Sequence, residues 1–355
     1  MKTSILSILV LFISCNQKEA SLITNYPEDI NVPEGMIWVP GNSFTMGAID
    51  ADSYALPQEK PAHPVAVDGF FMDATEVTNA QFQKFINTTG YLTTAERAID
   101  WEEMKKMLPE GTQKPHDSLL APGSLVFYKE ITKVNGLENW QQWWKWVIGA
   151  NWKQPSGPNS TIEGKEHYPV VHVSYEDAQA YCKWANRKLP TEAQWELASR
   201  GNLTNARYTW GNDSSLLDKN ANTWQGNFPL NNQNTDGYDL LAPVKSYSPN
   251  SLGLFDMAGN VWEYTADWYH VDYYRELLNT GNVTKNPTGA KEAKNPNNPY
   301  QAEKVIKGGS FLCNESYCSS YRISARMGMT PDSSSDHVGF RTIATIEVLR
   351  KKKIK

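Results

Sequence analysis

The apolar runs of this chain are short, and turn-forming residues repeatedly interrupt them. Runs such as 37–39, 65–67 and 305–307 have the length and side chains of β-strands, and Gly, Asn or Pro separates them. The 355 residues include 23 Gly and 20 Pro, together with 13 Trp and 17 Tyr. Gly and Pro both disfavour the interior of regular elements. The pattern therefore predicts an irregular mixed α/β fold with short strands, few helices and long loops.

Three short helices are predicted from residues that cap helix N-termini. Residues 78–81 and 191–194 each fit a capping box, in which a Thr hydroxyl and a Gln side chain satisfy free backbone N–H groups. Ser174 precedes a third segment whose apolar residues recur at helical spacing. Two further stretches, 97–150 and 275–303, are interpreted as loop insertions without a catalytic motif, the first being rich in Trp.

The N-terminus has the features of an export signal. A basic start and a short apolar run over residues 1–14 predict a lipoprotein-type signal peptide, and Cys15 is the predicted lipidation site. Residues 15–35 then form a predicted flexible tether. We expect an exported protein of the bacterial cell envelope, held at a membrane by a lipid anchor. The alternative is a soluble periplasmic or secreted protein, with Cys15 lost in the leader.

The charge distribution argues against a nucleic-acid partner. The chain carries 34 Lys and Arg against 39 Asp and Glu, which gives a net charge of −5. Basic residues are concentrated in the tail, 346–355, which is interpreted as a solvated end. The main domain is predicted over residues 36–345, and it contains no apolar segment of membrane-spanning length.

Two of the four cysteines are close in sequence. Cys313 and Cys318 are five positions apart, an offset that gives them different faces of a helix or strand, so a bend must bring them together. In an exported protein they could form a plain disulfide. They could also be a redox pair, or a two-thiolate site for a soft metal such as Cu(I). Cys182 lies on the apolar face of a predicted helix and is interpreted as a small buried hydrophobe.

A second group of residues is rich in oxygen ligands. Asn232, Asn234 and Asp236 imitate the start of an EF-hand loop, but Pro243 stands where the bidentate Glu is required, so an EF-hand is excluded. Asp236 could still bind calcium together with backbone carbonyls, and 256–263 offers two more carboxylates. Simple turns with Asx hydrogen bonds explain the same residues. Motifs for nucleophilic hydrolases, phosphate loops, dinucleotides and zinc proteases are missing.

Many ordered blocks of this sequence resemble one family. They include Gly-Gly-Ser-Phe-Leu-Cys at 308–313 and Gly-Asn-Val-Trp-Glu at 259–263. The other blocks are residues 68–79, 149–152, 169–174, 188–196, 314–318, 321–322, 325–326, 330–334 and 339–341. Over about residues 36–345 the chain resembles the formylglycine-generating enzyme, or sulfatase-modifying factor, family. The resemblance implies the C-type-lectin-like fold of that family.

The resemblance also implies an activity. Family members oxidise the Cys of a Cys-x-Pro-x-Arg motif in an unfolded sulfatase to formylglycine, using O2 and a copper cofactor. Cys313 and Cys318 align with the two Cu(I) ligands, and the substrate thiolate would be a third soft ligand. Ser310 and Trp262 fall where the family lines its oxygen and copper pocket, and Tyr317 lies beside the second thiolate.

Further sites follow from the same matching. The resemblance implies two calcium sites and a substrate groove. The first calcium set is Asn222, Thr223, Asp236 and Tyr238; the second is Asp256, Gly259, Val261 and Glu263; the groove residues are Asn151, Trp152 and Ser160. Vertebrate members add two disulfides, but Ile323 and Thr342 stand at two of those cysteine positions here. The alternative function is a non-catalytic envelope lipoprotein of the same fold with a structural role, and such proteins generally lack the paired thiols.

Overall fold

The computed structural model describes residues 22–353, with side chains described as far as Lys351. The predicted signal peptide and Cys15 lie outside the described residues, so their roles stay predictions. Within the described part of the chain, no helix is both long and apolar enough to cross a membrane.

Regular elements in residues 22–353 are short, as predicted. The helices are α1 (Asn79–Thr89), α2 (Trp101–Met104), α3 (Tyr175–Ala185), α4 (Glu192–Arg200), α5 (Leu217–Asn220), α6 (Tyr273–Asn279) and α7 (Ile346–Lys353). The strands are β1 (Met36–Val39), β2 (Asn42–Met46), β3 (His63–Val67), β4 (Phe70–Asp73), β5 (Gly123–Phe127), β6 (Trp144–Ile148), β7 (Gly226–Asn227), β8 (Asn231–Asn232), β9 (Trp262–Trp268), β10 (Thr284–Lys285), β11 (Lys304–Lys307), β12 (Met327–Met329), β13 (Val338–Gly339) and β14 (Ile343–Ala344).

The strands form several small mixed sheets instead of one large sheet. The largest has four strands in the order β12-β11-β9-β13, with β13 parallel to β9 and the other pairs antiparallel. Two three-stranded sheets have the orders β1-β4-β14 and β10-β3-β2. The hairpins β5-β6 and β7-β8 complete the described strands. The predicted irregular mixed α/β class is therefore confirmed.

The three predicted helix starts are found where the caps place them. Thr78, Ser174 and Thr191 are the N-caps of α1, α3 and α4, and each hydroxyl accepts from the backbone N–H three residues later. Helix α4 ends at Gly201, which has φ 59°. Local hydrogen bonds therefore fix these helix ends, which is why sequence alone located them.

The hydrophobic core surrounds the largest sheet. Apolar side chains of α1, α3 and β9 form one buried cluster that also includes Cys313. A separate aromatic cluster joins Phe127 of β5 and Trp143 to Phe228 and Phe311. The predicted insertion 97–150 thus contains a real hairpin, β5-β6, because its aromatic side chains are buried against residues distant in sequence.

The packed domain extends beyond the predicted limits at both ends. Ile23 donates its backbone N–H to Asp68 at 2.9 Å, and Ile30 is buried against Phe71. At the C-terminal end, Ile346 of α7 joins the same cluster. Ile23, Ile30 and Ile346 therefore contact the domain from outside its predicted limits of 36 and 345, and the flexibility of residues 15–35 stays a prediction.

Candidate active site

Two consecutive glycines direct the chain from β11 into the cysteine loop. Gly308 has φ 92° and Gly309 has φ 72°, a region that side chains disfavour. A β-carbon on Gly309 would lie 2.8 Å from the backbone of Ser320 and Tyr321. The missing side chains therefore let Ser310 and the residues after it fold back against the chain that follows Cys318.

The loop brings the two predicted cysteines together. Their Cα atoms are 4.7 Å apart, and the two sulfurs are joined as a disulfide. Ser310 donates its backbone N–H to Cys313 Sγ at 3.4 Å, and the N–H of Cys318 donates to Asn314 O at 2.7 Å. The bend expected from the five-residue offset is therefore present. Once reduced, the pair would supply two adjacent soft donors.

Both cysteines line a cleft of about 810 Å³. Ser310, Trp262 and Tyr317 line the same cleft, so the five predicted catalytic positions are brought to one place. Two of the cleft walls come from the stretches interpreted as insertions. The residues contributed by those stretches are Leu125, Trp140, Trp143 and Trp144 from the first, and Asn297, Asn298, Gln301 and Glu303 from the second.

An aromatic wall stands beside the second cysteine. The Tyr317 ring stacks on Phe228 with centroids 4.6 Å apart, and Trp143 meets Tyr317 edge-on at 5.5 Å. Burial raises the pKa of Tyr317 above its usual value, so the phenol stays protonated at neutral pH. This wall is therefore apolar, with a hydroxyl that can donate a hydrogen bond.

His337 adds a polar group that sequence reasoning did not select. Its ring lies 4.7 Å from the Trp144 ring, and Nδ1 shares a hydrogen bond with Ser335 Oγ at 2.8 Å. Burial, with a smaller effect of His172, lowers the pKa of His337 to about 3. The imidazole is therefore neutral at physiological pH. Its backbone O accepts from the N–H of Trp262, which is 1% exposed.

The three predicted groove residues lie elsewhere. Asn151, Trp152 and Ser160 are not among the residues that line the cleft. Trp152 packs in the core with its ring 5.3 Å from Phe82, and Ser160 Oγ donates to Gly157 O at 2.7 Å. The structure does not bring them together with the cysteine pair, so their part in substrate binding stays a prediction. The Trp-rich stretch, which the sequence analysis interpreted as an insertion, was the signal that could have indicated a wall of the cleft.

The first predicted calcium set has converging oxygen atoms. Gln225 Nε2 donates to Thr223 O, to Thr223 Oγ1 at 3.0 Å and to Asp236 Oδ2 at 2.9 Å. Asp236 Oδ1 also accepts from the N–H of Tyr238 at 3.0 Å. The side chain of Asn222 donates to Leu240 O at 2.8 Å. The Asp236 carboxylate and the Thr223 carbonyl thus converge on the Gln225 amide. Carboxylate and carbonyl oxygens are the ligands that a hard cation prefers, so this set fits calcium if the Gln225 amide moves aside.

In the second predicted calcium set, the carboxylates already accept hydrogen bonds from other groups of the protein. Glu263 accepts two hydrogen bonds of 2.6 Å from Arg341 and one of 2.8 Å from Trp195. Asp256 accepts from the N–H of Lys245 at 2.8 Å, and burial raises the pKa of Asp256 to about 6. The backbone turns sharply between them, with Gly259 at φ 77°. Val261, the remaining member of this set, is fully buried.

A third carboxylate accompanies this set. Glu76 Oε2 is buried without a hydrogen-bond partner in the described chain, while Asn260 Nδ2 donates to Oε1 at 2.9 Å. Burial and the nearby Asp256 raise the pKa of Glu76 well above its usual value. Asp256, Glu263 and Glu76 thus face one guanidinium, that of Arg341. The excess of acidic groups fits a cation at this place.

The described side chains contain no ready-made cluster for a metal that needs many side-chain ligands. No group of three or more His, Cys, Asp and Glu in residues 22–351 is arranged to hold a metal ion. Cys313 and Cys318 are two donors only. A pair of thiolates suits low-coordinate Cu(I), because soft sulfur ligands favour that ion. The donor set therefore fits copper in the reduced protein.

Comparison with known proteins identifies relatives along nearly the whole chain. Residues 23–346 match the sulfatase-modifying factor enzyme 1-like domain. A formylglycine-generating enzyme of Thermomonospora curvata is 40% identical over 314 residues, covering 88% of this chain and 94% of that protein. A mouse protein named inactive C-alpha-formylglycine-generating enzyme 2 is 36% identical, covering 86% of this chain and 84% of its own length.

A solved structure supports the fold. The structure of PvdO from Pseudomonas aeruginosa has a TM-score of 0.56 and 20% identity, and the match covers 88% of this chain and 94% of that one. At this identity the likeness concerns the fold alone. It agrees with the short mixed sheets and long loops described above.

Proposed function

Because the chain belongs to the sulfatase-modifying factor enzyme family, we propose that it is a formylglycine-generating oxidoreductase that acts on a cysteine of an unfolded sulfatase. The single observation that supports this most is the adjacent pair Cys313 and Cys318 on the wall of a large cleft. The proposed substrate is an extended peptide containing Cys-x-Pro-x-Arg, and the proposed oxidant is O2.

The reaction converts a CH2SH group into an aldehyde. One hydrogen leaves the β-carbon and one leaves the thiol, and O2 takes up both with their two electrons, giving hydrogen peroxide, or water when an external thiol supplies two further electrons. Water then adds to the resulting thioaldehyde, and sulfur departs as hydrogen sulfide. Protein side chains do not activate O2 themselves, so a cofactor is required. In this proposal Cys313 and Cys318, reduced to thiolates, hold Cu(I), which supplies the reactivity toward O2 and the affinity for a third thiolate.

The residues around the pair would position the substrate and exclude water. The stacked rings of Tyr317 and Phe228 leave an apolar wall against which the substrate β-carbon can pack. The protonated Tyr317 hydroxyl can donate a hydrogen bond to a group that gains negative charge. Trp262 is buried at the base of the cleft, and Ser310 keeps Cys313 in place through its backbone N–H.

Calcium and the lipid anchor belong to the same proposal. We propose that both oxygen-rich sets bind Ca²⁺ and that the cation favours the folded state. We also propose export to the cell envelope, with lipidation of Cys15 at the mature N-terminus. Mass spectrometry of the intact mature protein checks the second point, because an unmodified Cys15 or a cleavage after it contradicts the lipid anchor.

A peptide assay tests the activity. Reduced protein loaded with Cu(I) is expected to convert a Cys-x-Pro-x-Arg peptide in the presence of O2, with the loss of mass that accompanies aldehyde formation. Cys313→Ser and Cys318→Ser are expected to abolish turnover and Cu(I) binding. Cys182→Ala is the matched control, because Cys182 is buried and is not among the residues that line the cleft. Full turnover by Cys313→Ser contradicts the proposed role of the pair.

The second candidate function is a non-catalytic structural role in the envelope. The existence of a relative named as inactive keeps this alternative relevant. The cysteine pair in the cleft favours the enzyme. A protein that binds no Cu(I) after reduction and converts no peptide would instead support the structural role.

A further inference from the structure

One charged group in the cleft has no counter-ion. Glu303 and Arg322 are the charged residues among those that line the cleft. Arg322 is neutralised, because it forms ion pairs with Asp52 at 2.8 Å and Glu59 at 2.6 Å. Glu303 is 7% exposed, and no ion pair joins it to a cation within residues 22–351. The cleft therefore presents an uncompensated carboxylate.

Neutral amides hold this carboxylate in one orientation. Asn295 Nδ2 donates to Oε2 of Glu303 at 2.6 Å, and Asn298 Nδ2 donates to Oε1 at 2.9 Å. Neither amide cancels the negative charge. The nearest cation in sequence, Lys304, points elsewhere, since its ammonium donates to Ala266 O at 3.0 Å and lies 3.5 Å from the Trp268 ring centroid.

The free acceptor sites on Glu303 match a guanidinium. A carboxylate has about four acceptor positions, and the two Asn amides use one on each oxygen, so about one remains on each oxygen. Arg can donate two parallel hydrogen bonds to such a pair, whereas Lys offers a single point charge. Gly328 of β12 leaves space for the carboxylate, because a β-carbon there would overlap Glu303 Oε2.

The position of Glu303 along the cleft suits a peptide bound at the cysteine pair. Glu303, Cys313 and Cys318 all line this one cleft. The Cys and Arg of Cys-x-Pro-x-Arg are four positions apart, about 13 Å in an extended peptide. A substrate whose cysteine lies at the pair would therefore place its arginine against another part of the same cleft, where Glu303 is the acidic lining residue.

We propose that Glu303, oriented by Asn295 and Asn298, binds the arginine side chain of the peptide substrate and thereby determines its specificity. The inference rests on the proposed function, since it assumes a peptide in the cleft. Because Glu303 is largely buried, leaving its charge unpaired costs free energy. The site would therefore bind a positively charged side chain in preference to an uncharged one.

Equilibrium binding tests the inference without turnover. Fluorescence anisotropy compares labelled Ser-x-Pro-x-Arg, Ser-x-Pro-x-Lys and Ser-x-Pro-x-citrulline peptides, in which Ser replaces the reactive Cys. The wild-type protein is expected to bind the Arg peptide at least about tenfold more tightly than the citrulline peptide, with the Lys peptide between them. Glu303→Gln is expected to reduce the Arg to citrulline ratio to nearly one.

A matched variant and a second substitution complete the test. Glu292→Gln removes one exposed carboxylate from the same segment and is expected to keep the wild-type ratio. Gly328→Ala is expected to lower the ratio by displacing Glu303. A wild-type protein that binds the three peptides equally, or fails to bind the Arg peptide, overturns the inference, and so does a Glu303→Gln protein that keeps the ratio.

Turnover separates this inference from the proposed function. With the cysteine peptide, Glu303→Gln is expected to raise KM much more than it lowers kcat. Conversion of the Arg and citrulline peptides with the same KM would overturn the role of Glu303 and leave the proposed function standing. Arg-selective binding without any conversion would overturn the oxidase function and leave the role of Glu303 standing.

Discussion

At the scale of single residues, burial keeps several ionisable groups near the cleft uncharged. His337 is neutral because burial lowers its pKa to about 3, and Tyr317 is protonated at neutral pH like an ordinary tyrosine, with a pKa that burial raises further. Asp336, next to His337, has a buried Oδ1 with no hydrogen-bond partner in the described chain. Charge in the cleft is therefore restricted to the few groups that can use it, such as Glu303.

Asp336 should make stability depend on pH. Burial raises the pKa of Asp336 from its usual 3.8 to about 7 in the folded protein. The folded state therefore binds this proton more tightly than the unfolded state. The protonated Asp336 side chain thus adds to the free energy of unfolding in full below about pH 4, and this stabilisation is lost as the pH rises toward 7. The loss in the free energy of unfolding is about 1.4 kcal/mol per unit of pKa shift. We expect Asp336→Asn to abolish this pH-dependent loss.

Denaturant unfolding between pH 4 and 8 measures this effect. The Asn side chain can still accept the 2.9 Å hydrogen bond from the N–H of Phe127. Exposed Asp332→Asn is the control and should leave the pH profile unchanged. An Asp336→Asn protein with the wild-type pH profile would show that Asp336 titrates normally.

At the scale of elements, the site depends on the turn between β11 and the cysteine loop. The sheet holds β11 between β9 and β12, so the position at which the chain leaves the sheet is fixed. Gly308 and Gly309 then turn the chain toward Cys313 with positive φ angles. The backbone geometry of this turn therefore determines where the two sulfurs lie.

Gly309→Ala should damage both stability and activity. The substitution costs about 1–2 kcal/mol for the positive φ of the backbone, and its β-carbon would also lie 2.8 Å from the backbone of Ser320 and Tyr321. Gly281→Ala is the control, because Gly281 has φ 68° and a β-carbon added there would enter open space. We expect thermal unfolding to show a larger loss for Gly309→Ala, with reduced peptide turnover. Equal losses would mean that the close contact at Gly309 is unimportant.

At the scale of the whole molecule, distant segments are joined by buried polar contacts. Arg322, just after the cysteine loop, pairs with Asp52 and Glu59, more than 260 positions away. Glu76 and Asn260 are joined across 184 positions. Regular elements are short in the described part of the chain, so such long-range contacts join segments that no long helix or strand connects.

The proposed calcium sites predict that calcium stabilises the protein. Adding CaCl2 after treatment with EDTA is expected to raise Tm, with about 2.7 kcal/mol of stabilisation at a free concentration 100 times Kd. Asp236→Asn should weaken the response, because Asp236 supplies the carboxylate of the first set. Mg²⁺ is the control, since the smaller ion prefers octahedral coordination and retains its water. An unchanged Tm with Ca²⁺ contradicts the calcium proposal.

The sequence located the local features of this fold. The N-caps Thr78, Ser174 and Thr191 identified three helices, because capping depends on residues three positions apart. The ordered blocks around Cys313 and Cys318 indicated the family that the comparisons show. These features are encoded within a few residues, so no knowledge of distant contacts was needed.

Only the tertiary structure decided what surrounds the cysteine pair. The Trp-rich stretch and the Asn-rich segment before β11 look like insertions in sequence, yet they form walls of the cleft because their side chains pack against residues far along the chain. The same is true of Glu303, whose missing counter-ion is a property of its neighbours in space. Burial, ion pairing and shape arise from long-range packing, which local sequence patterns do not contain.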